Sequence, residues 1–215
     1  MVPTGPVFCS KSWRLASMAR NKEFDETEVL RKARDLFWER GYSATSIHDL
    51  EAGLGISRSS LYRFFGGKRE LYDRTLADYR DDNLQRLGSA LGQSDDLRQE
   101  LASLFVAAAR REDVDCTAGA RGCYIVNATT EMANACADAF RFVSDNRDRF
   151  VEVMRAALEA AQRRGRLHRA ADVLEWANFL FLFYNGLQVV VQTGIDKASL
   201  ERAVERCVDA LPWTD

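Results

Sequence analysis

Between Pro6 and Pro212 the chain contains no proline, and the only other one is Pro3. Proline removes a backbone donor and clashes with the preceding helical turn, so its absence over this span leaves long helices unbroken. No run alternates for long with period two, and no strand-like pair flanks an Asn-Gly or Asp-Gly turn. Apolar residues instead recur three and four apart. The expected fold is all-α. At 215 residues the chain is long enough for one or two domains with a buried core, and 47% apolar with 29% charged residues fits a soluble globular protein.

The most informative stretch runs from Thr45 to Lys68. Thr45 and Ser46 are good N-cap types, and Asp49 completes a capping-box pattern with Ser46. Ile47, Leu50 and Leu54 then share one helical face. Gly53 and Gly55 bracket the end of that helix, as a tight turn requires. Ser57 opens a second short helix with Leu61 and Phe65 turned inward. Two short helices around a glycine-containing turn outline a helix-turn-helix. On the outer face of the second helix stand Arg58, Ser59, Ser60, Tyr62 and Arg63, donors long enough for phosphates and base edges. Ser57 to Arg69 carries four positive charges and no acid. Helix hairpins are common in α-proteins, so charge of one sign is what points to DNA. Residues 1–80 carry 14 basic and 11 acidic side chains, whereas residues 81–215 carry 16 and 21. That asymmetry suits a DNA-binding head on a body that does not touch DNA.

From Gly41 to Tyr72 the sequence GYSATSIHDLEAGLGISRSSLYRFFGGKRELY resembles the tetracycline-repressor (TetR) family of one-component transcriptional regulators. The matching features are Gly41-Tyr42, Thr45-Ser46-Ile47, Ser60-Leu61-Tyr62 with Phe65, and Lys68-Arg69-Glu70-Leu71. Phe64 and Gly66 depart from the family pattern, which favours a polar aromatic residue and proline there. The resemblance implies an N-terminal three-helix head and an α-helical body that binds ligand and dimerises. It also implies a homodimeric repressor, released from a palindromic double-stranded DNA operator by a small-molecule inducer. The DNA-binding residues would be Thr45, Ser46, Arg58, Ser59, Ser60, Tyr62, Arg63 and Lys68. The expected organisation is a disordered extension over 1–20, the DNA-binding domain over 21–72 and the body over 73–215. Met18-Ala19-Arg20 looks like a usual start for this family.

Helix one is expected over Glu28–Arg40, and a long helix from Lys68 to about Leu91 should connect head to body. Amphipathic helices follow at Leu97–Arg111, Cys123–Ala135 and Ala137–Arg164. Between Glu175 and Asp196 lie 20 residues without formal charge. A membrane span is the rival reading, but Asn178, Asn185, Gly186, Gln188 and Gln192 leave too short an apolar run. A helix apolar nearly all round must be covered on all sides. The resemblance implies a dimer interface from Trp176–Gly194 and Leu200–Leu211, with Gly186 allowing close backbone approach.

For ligand binding, the family expectation points between body helices to Tyr124, Asn127, Glu131, Trp176, Phe179, Phe183 and Tyr184, with Cys123 beside them. Aromatic and few polar groups suit an apolar ligand, although each side chain alone reads as ordinary core. Cys123, following Arg121-Gly122 at a helix start, has the setting of a reactive thiol, so an electrophile or redox sensor is an alternative. Cysteine also simply fills tight contacts. A third reading, of another class, is a helical ligand-binding protein without operator recognition.

Five cysteines without CxxC spacing and without a secretory signal suit reduced thiols in a cytoplasm. His48 and His168 read as surface residues. No nucleophile elbow, phosphate loop or HExxH occurs, so no enzyme activity, cofactor, metal or membrane partner is expected.

Overall fold

The computed structural model describes residues 24–110, 122–132 and 137–214. The expected extension over 1–20, Arg121, and Cys9, Cys116 and Cys136 lie outside them. The described residues form helices α1 (Glu26–Arg40), α2 (Ile47–Leu54), α3 (Arg58–Phe65), α4 (Lys68–Gln93), α5 (Leu97–Arg110), α6 (Tyr124–Met132), α7 (Ala137–Arg163), α8 (Val173–Val190) and α9 (Lys197–Asp209). A single 3-10 turn, Val191–Thr193, extends α8. Among the described residues the only strand-like contact is an isolated bridge between Leu167 and Trp213.

Local chemistry sets the helix starts. Asp25 caps α1 through Thr27 N–H, Asp172 caps α8 through Leu174 and Glu175, and Asp196 caps α9 through Ser199. Each carboxylate satisfies amides that the first turn leaves unpaired. These caps place α1, α8 and α9 two to three residues upstream of their expected starts, since a cap acts before the apolar pattern begins.

Two apolar cores result. One gathers Val29, Ala33, Phe37 and Trp38 from α1, Leu50 and Leu54 from α2, Leu61 and Phe65 from α3, and Leu71, Tyr72 and Leu76 from the start of α4. Leu50, Leu61 and Leu71 are wholly buried, and burying a leucine contributes about 1.5–3 kcal/mol. The other core joins Leu91, Phe105, Phe150, Met154, Leu158, Leu180 and Val204, from α4, α5 and α7 to α9. Helix α4, 26 residues and about 39 Å long, belongs to both. Arg80, 8% exposed, fastens α4 to α7 by pairing with Asp145 at 2.8 Å and lying over the Phe142 ring.

Helix α6 is where the structure departs most from the sequence reading. The buried apolar side chains of Cys123, Tyr124, Ile125, Val126, Ala128 and Met132 join the head's core. The head's packing therefore extends past residue 72.

The stripe on α9 is also assigned differently. Leu200, Val204, Cys207, Val208 and Leu211 are buried within their own chain, so they do not offer a surface to a second subunit as expected. Ala203 is the exposed member of that stripe. Helix α8 does leave an apolar face open, with Leu182 69% exposed and Leu174, Phe179, Val189 and Val190 also exposed. Gly186 lies on this face with open space beyond it. No helix among the described residues is long and apolar enough to cross a membrane.

Candidate nucleic-acid interface

Helices α2 and α3 are eight residues each, too short to hold without help at their ends. Both ends of each are secured. Ser46 Oγ accepts the Asp49 N–H at 3.1 Å, and Asp49 accepts the Ser46 N–H at 2.8 Å, completing the capping box. Hydrogen bonds from Ser46 and the charge of Arg40, whose guanidinium lies at 2.8 Å, hold the Asp49 carboxyl below its ordinary range. Ser57 Oγ accepts the Ser60 N–H at 3.1 Å and caps α3. Gly55 and Gly66 close the two helices in the left-handed conformation.

A further contact joins the two helices. Glu51 on α2 accepts the Arg58 N–H at 2.6 Å, so an α2 carboxylate fixes the start of α3. No local pattern flags it, because it spans seven residues across a turn.

With Leu61 and Phe65 inward, Arg58, Ser59, Tyr62 and Arg63 stand exposed on the opposite face of α3. Tyr62 is 47% exposed, with the Arg58 guanidinium 5.8 Å from its ring, and Arg63 lies over Phe64 at 4.3 Å. Phe64, unusual at its position, packs edge-on against Phe24. Ser60 is half-buried and drawn into the Ser57 cap. Lys68 starts α4 half-buried, its ammonium 4.3 Å from the Tyr42 ring. Burial lowers its pKa, against the pull of Glu131 and Asp49. Ser46 is exposed. Thr45 is the correction: it is wholly buried and its hydroxyl donates to Gly41 O at 2.7 Å. Its side chain shapes the turn and does not face outward. His48 and His168 are both exposed.

The eight residues expected around a ligand are not brought together. A cavity of about 240 Å³ between α4, α5, α7 and α8 is lined by Asn83, Leu87, Leu104, Phe105, Phe150 and Tyr184, among others. Tyr184 is the one expected residue on its wall, and Phe183 stacks behind Phe105. Trp176 and Phe179 pair edge to face, with Phe179 on the open face of α8. Of the four residues on and just before α6, Cys123, Tyr124 and Glu131 lie against the head, and Asn127 faces the end of α8. Tyr124 is buried and hydrogen-bonded with Thr75 at 2.9 Å; burial raises its pKa well above the ordinary phenol value. Asn127 accepts from Gln192 Nε2 at 3.3 Å. Glu131 accepts from Tyr42 and Ser43 N–H. Cys123 is 4% exposed, with the Tyr79 hydroxyl 3.8 Å from its sulfur. It packs at the junction.

A capped helix-turn-helix with a polar, cationic outer face, rooted by a long helix in an α-helical body, defines a DNA-binding transcriptional regulator. Residues 29–75 match the family model for bacterial regulatory proteins, tetR family. The HTH-type transcriptional regulator YezE of Bacillus subtilis (strain 168) is 27% identical over 90% of this chain and all of its own length. The HTH-type transcriptional repressor ComR of Escherichia coli (strain K12) is 28% identical over 88% of each chain. Among solved structures, a cysteine mutant of the TetR-family regulator CifR, complexed with 26-bp double-strand operator DNA, superposes with a TM-score of 0.79. It is 27% identical over 90% of this chain and all of its own. The head thus matches the tetR family model, and over most of its length the chain is similar to a TetR-family regulator.

Replacing Ser46 with alanine removes one half of the capping box and should destabilise the head by about 1 kcal/mol. Thermal unfolding followed by circular dichroism measures this, and an unchanged midpoint would show that the cap does not hold α2.

Proposed function

We propose that this regulator is a repressor that binds a palindromic operator as a homodimer and leaves it when a small apolar molecule enters the body cavity. The observation that carries the reading is the outer face of α3, where Arg58, Ser59, Tyr62 and Arg63 stand exposed on a helix capped at both ends. A rigid short helix with such a face enters a major groove with its donors already placed. Thr45 drops out of the proposed contact set; Tyr62 and Lys68 position the head on phosphates, Arg58, Ser59 or Arg63 reach bases, and Ser46 and Ser60 stay in the set. The naming of ComR as a repressor and the operator complex of CifR support the same reading.

The open face of α8 supports the dimer. Leu182, Val189 and Val190 in water would be costly for a lone chain, and a second α8 across a two-fold axis covers them. The cavity supports the inducer: its wall is mostly apolar and it is shared by α4, whose other end carries the head. Cys123 serves here as a packing residue, and burial keeps its thiol from solvent.

Footprinting on a selected operator should show two protected half-sites with centres about 34–36 Å apart, or a multiple of that. A single non-palindromic patch would contradict the reading. Lys68→Ala should weaken all sites alike and reduce the salt slope of binding by about one. A changed base preference at an unchanged slope would assign Lys68 to base readout instead. Because Leu182 is 69% exposed within one chain, Leu182→Asp should leave the fold intact yet yield a monomer in sedimentation that no longer holds the operator. A dimer of wild-type stability carrying that change would place the interface elsewhere.

A further inference from the structure

The α6 helix is gripped at both ends by parts of the chain distant in sequence. At its C-terminal end, Glu131 Oε2 accepts the Tyr42 N–H at 3.0 Å and Oε1 accepts the Ser43 N–H at 2.8 Å. Both amides belong to the turn between α1 and α2, 88 and 89 residues away. The fit is close: a Cβ on Gly41, whose φ is +82°, would lie 3.1 Å from the same carboxylate. Hydrogen bonds from Ser43 and Tyr42 and the charge of Lys68 outweigh burial and hold the Glu131 carboxyl below its ordinary range. It is therefore an anion at neutral pH, and each of its bonds to the turn is charge-assisted.

At the other end, Gly122 abuts the body. Its φ is +64°, and a Cβ there would stand 2.9 Å from the Gln188 carbonyl oxygen on α8 and closer still to the Gln192 side chain. Asn127, midway along α6, takes a hydrogen bond from Gln192. Nine helical residues, about 13 Å, thus span from the C-terminal end of α8 to the turn that opens α2.

We propose that Glu131 is a positioning residue that sets the orientation of the DNA-binding head on the body. Helix α4 joins the two covalently, but one helix leaves the head free to twist about and bend at that helix. A second attachment removes this freedom. The Glu131 anchor acts on the turn, and through Thr45, whose hydroxyl holds Gly41, and the Ser46 cap it acts on α2 and α3. In a dimer, the two anchors fix the distance and the angle between the α3 helices.

The proposal rests on the reading of the chain as a symmetric dimer on a palindrome, and the test separates the two. Operators with the selected half-sites are made at the selected spacing and with one base pair added or removed. Affinities are measured for wild type, Glu131→Gln and Glu131→Ala, with thermal melts to confirm folding. Wild type should favour the selected spacing. Glu131→Ala should lose roughly ten- to a hundredfold of that preference, as expected when hydrogen bonds to a charged group are removed. Preference among half-site bases, and the salt slope, should stay as they were. Glu131→Gln keeps an acceptor for one of the two amides and should fall between, and it carries the test if the alanine variant does not fold. A merely structural role would lower affinity for all three operators alike. Equal spacing preference in wild type and both folded variants would overturn the assignment of Glu131 while leaving the dimer reading intact. A wild type indifferent to spacing would overturn both.

Discussion

Where α1, α4 and α6 meet, Trp38, Tyr72, Tyr79 and Tyr124 pack with ring centroids 5.2 to 6.0 Å apart. Such pairs are worth about 0.5–1.5 kcal/mol each beyond the area they bury. Thr75 fixes the polar end of the cluster. Its hydroxyl donates to the Tyr72 carbonyl at 2.7 Å, so at 2.9 Å the Tyr124 hydroxyl is the donor to Thr75. The Trp38 indole N–H finds no partner among the described residues, a cost that the surrounding packing offsets. This junction ties α6 to α1 and α4, beside the separate Glu131 bonds to the turn that opens α2.

Under the proposed function, helix α4 is the path from the body cavity to the DNA surface. Helix α4 lends Leu71, Tyr72 and Leu76 to the head and Leu87 and Leu91 to the body. The cavity wall takes residues from the body half of the same helix. Packed side chains have few alternative arrangements, so a displacement at one end of α4 is transmitted as a rigid movement. The Arg80 pairing with Asp145, on the same helix, keeps the middle of α4 on α7 while its ends do different work.

The head was legible in the sequence because its determinants are local. Ser46 with Asp49, Ser57 with Ser60, and inward Leu61 with Phe65 lie within four residues of one another, and the structure forms each as written. Helix edges at Asp172 and Asp196 were less legible, since a capping carboxylate precedes the apolar pattern that reveals the helix. Thr45 misled for a related reason: a threonine before a helix reads as a cap, while this one is buried with its hydroxyl on the carbonyl of Gly41, which ends α1. The α6 residues were least legible. Tyr124 and Glu131 carry the residue types of a ligand site, but their partners, Thr75 and the Tyr42-Ser43 amides, lie 49 and 88 to 89 residues away. Only the folded chain shows that α6 faces the head. The stripe on α9 has the same lesson: Leu200, Val204 and Val208 define an apolar face, and nothing in their spacing says whether it meets this chain or a second copy.

Its packing makes α6 structurally part of the DNA-binding head. Native-state hydrogen exchange on the wild-type protein tests it most directly, because segments that open together form one cooperative unit. The backbone amides of Asn127 to Met132 should exchange with the same opening free energy as those of α1 and of Leu71 to Leu76, and differ from α7 and α8. Exchange of α6 in step with α7 and α8, or at the rate of an unprotected loop, would contradict the account.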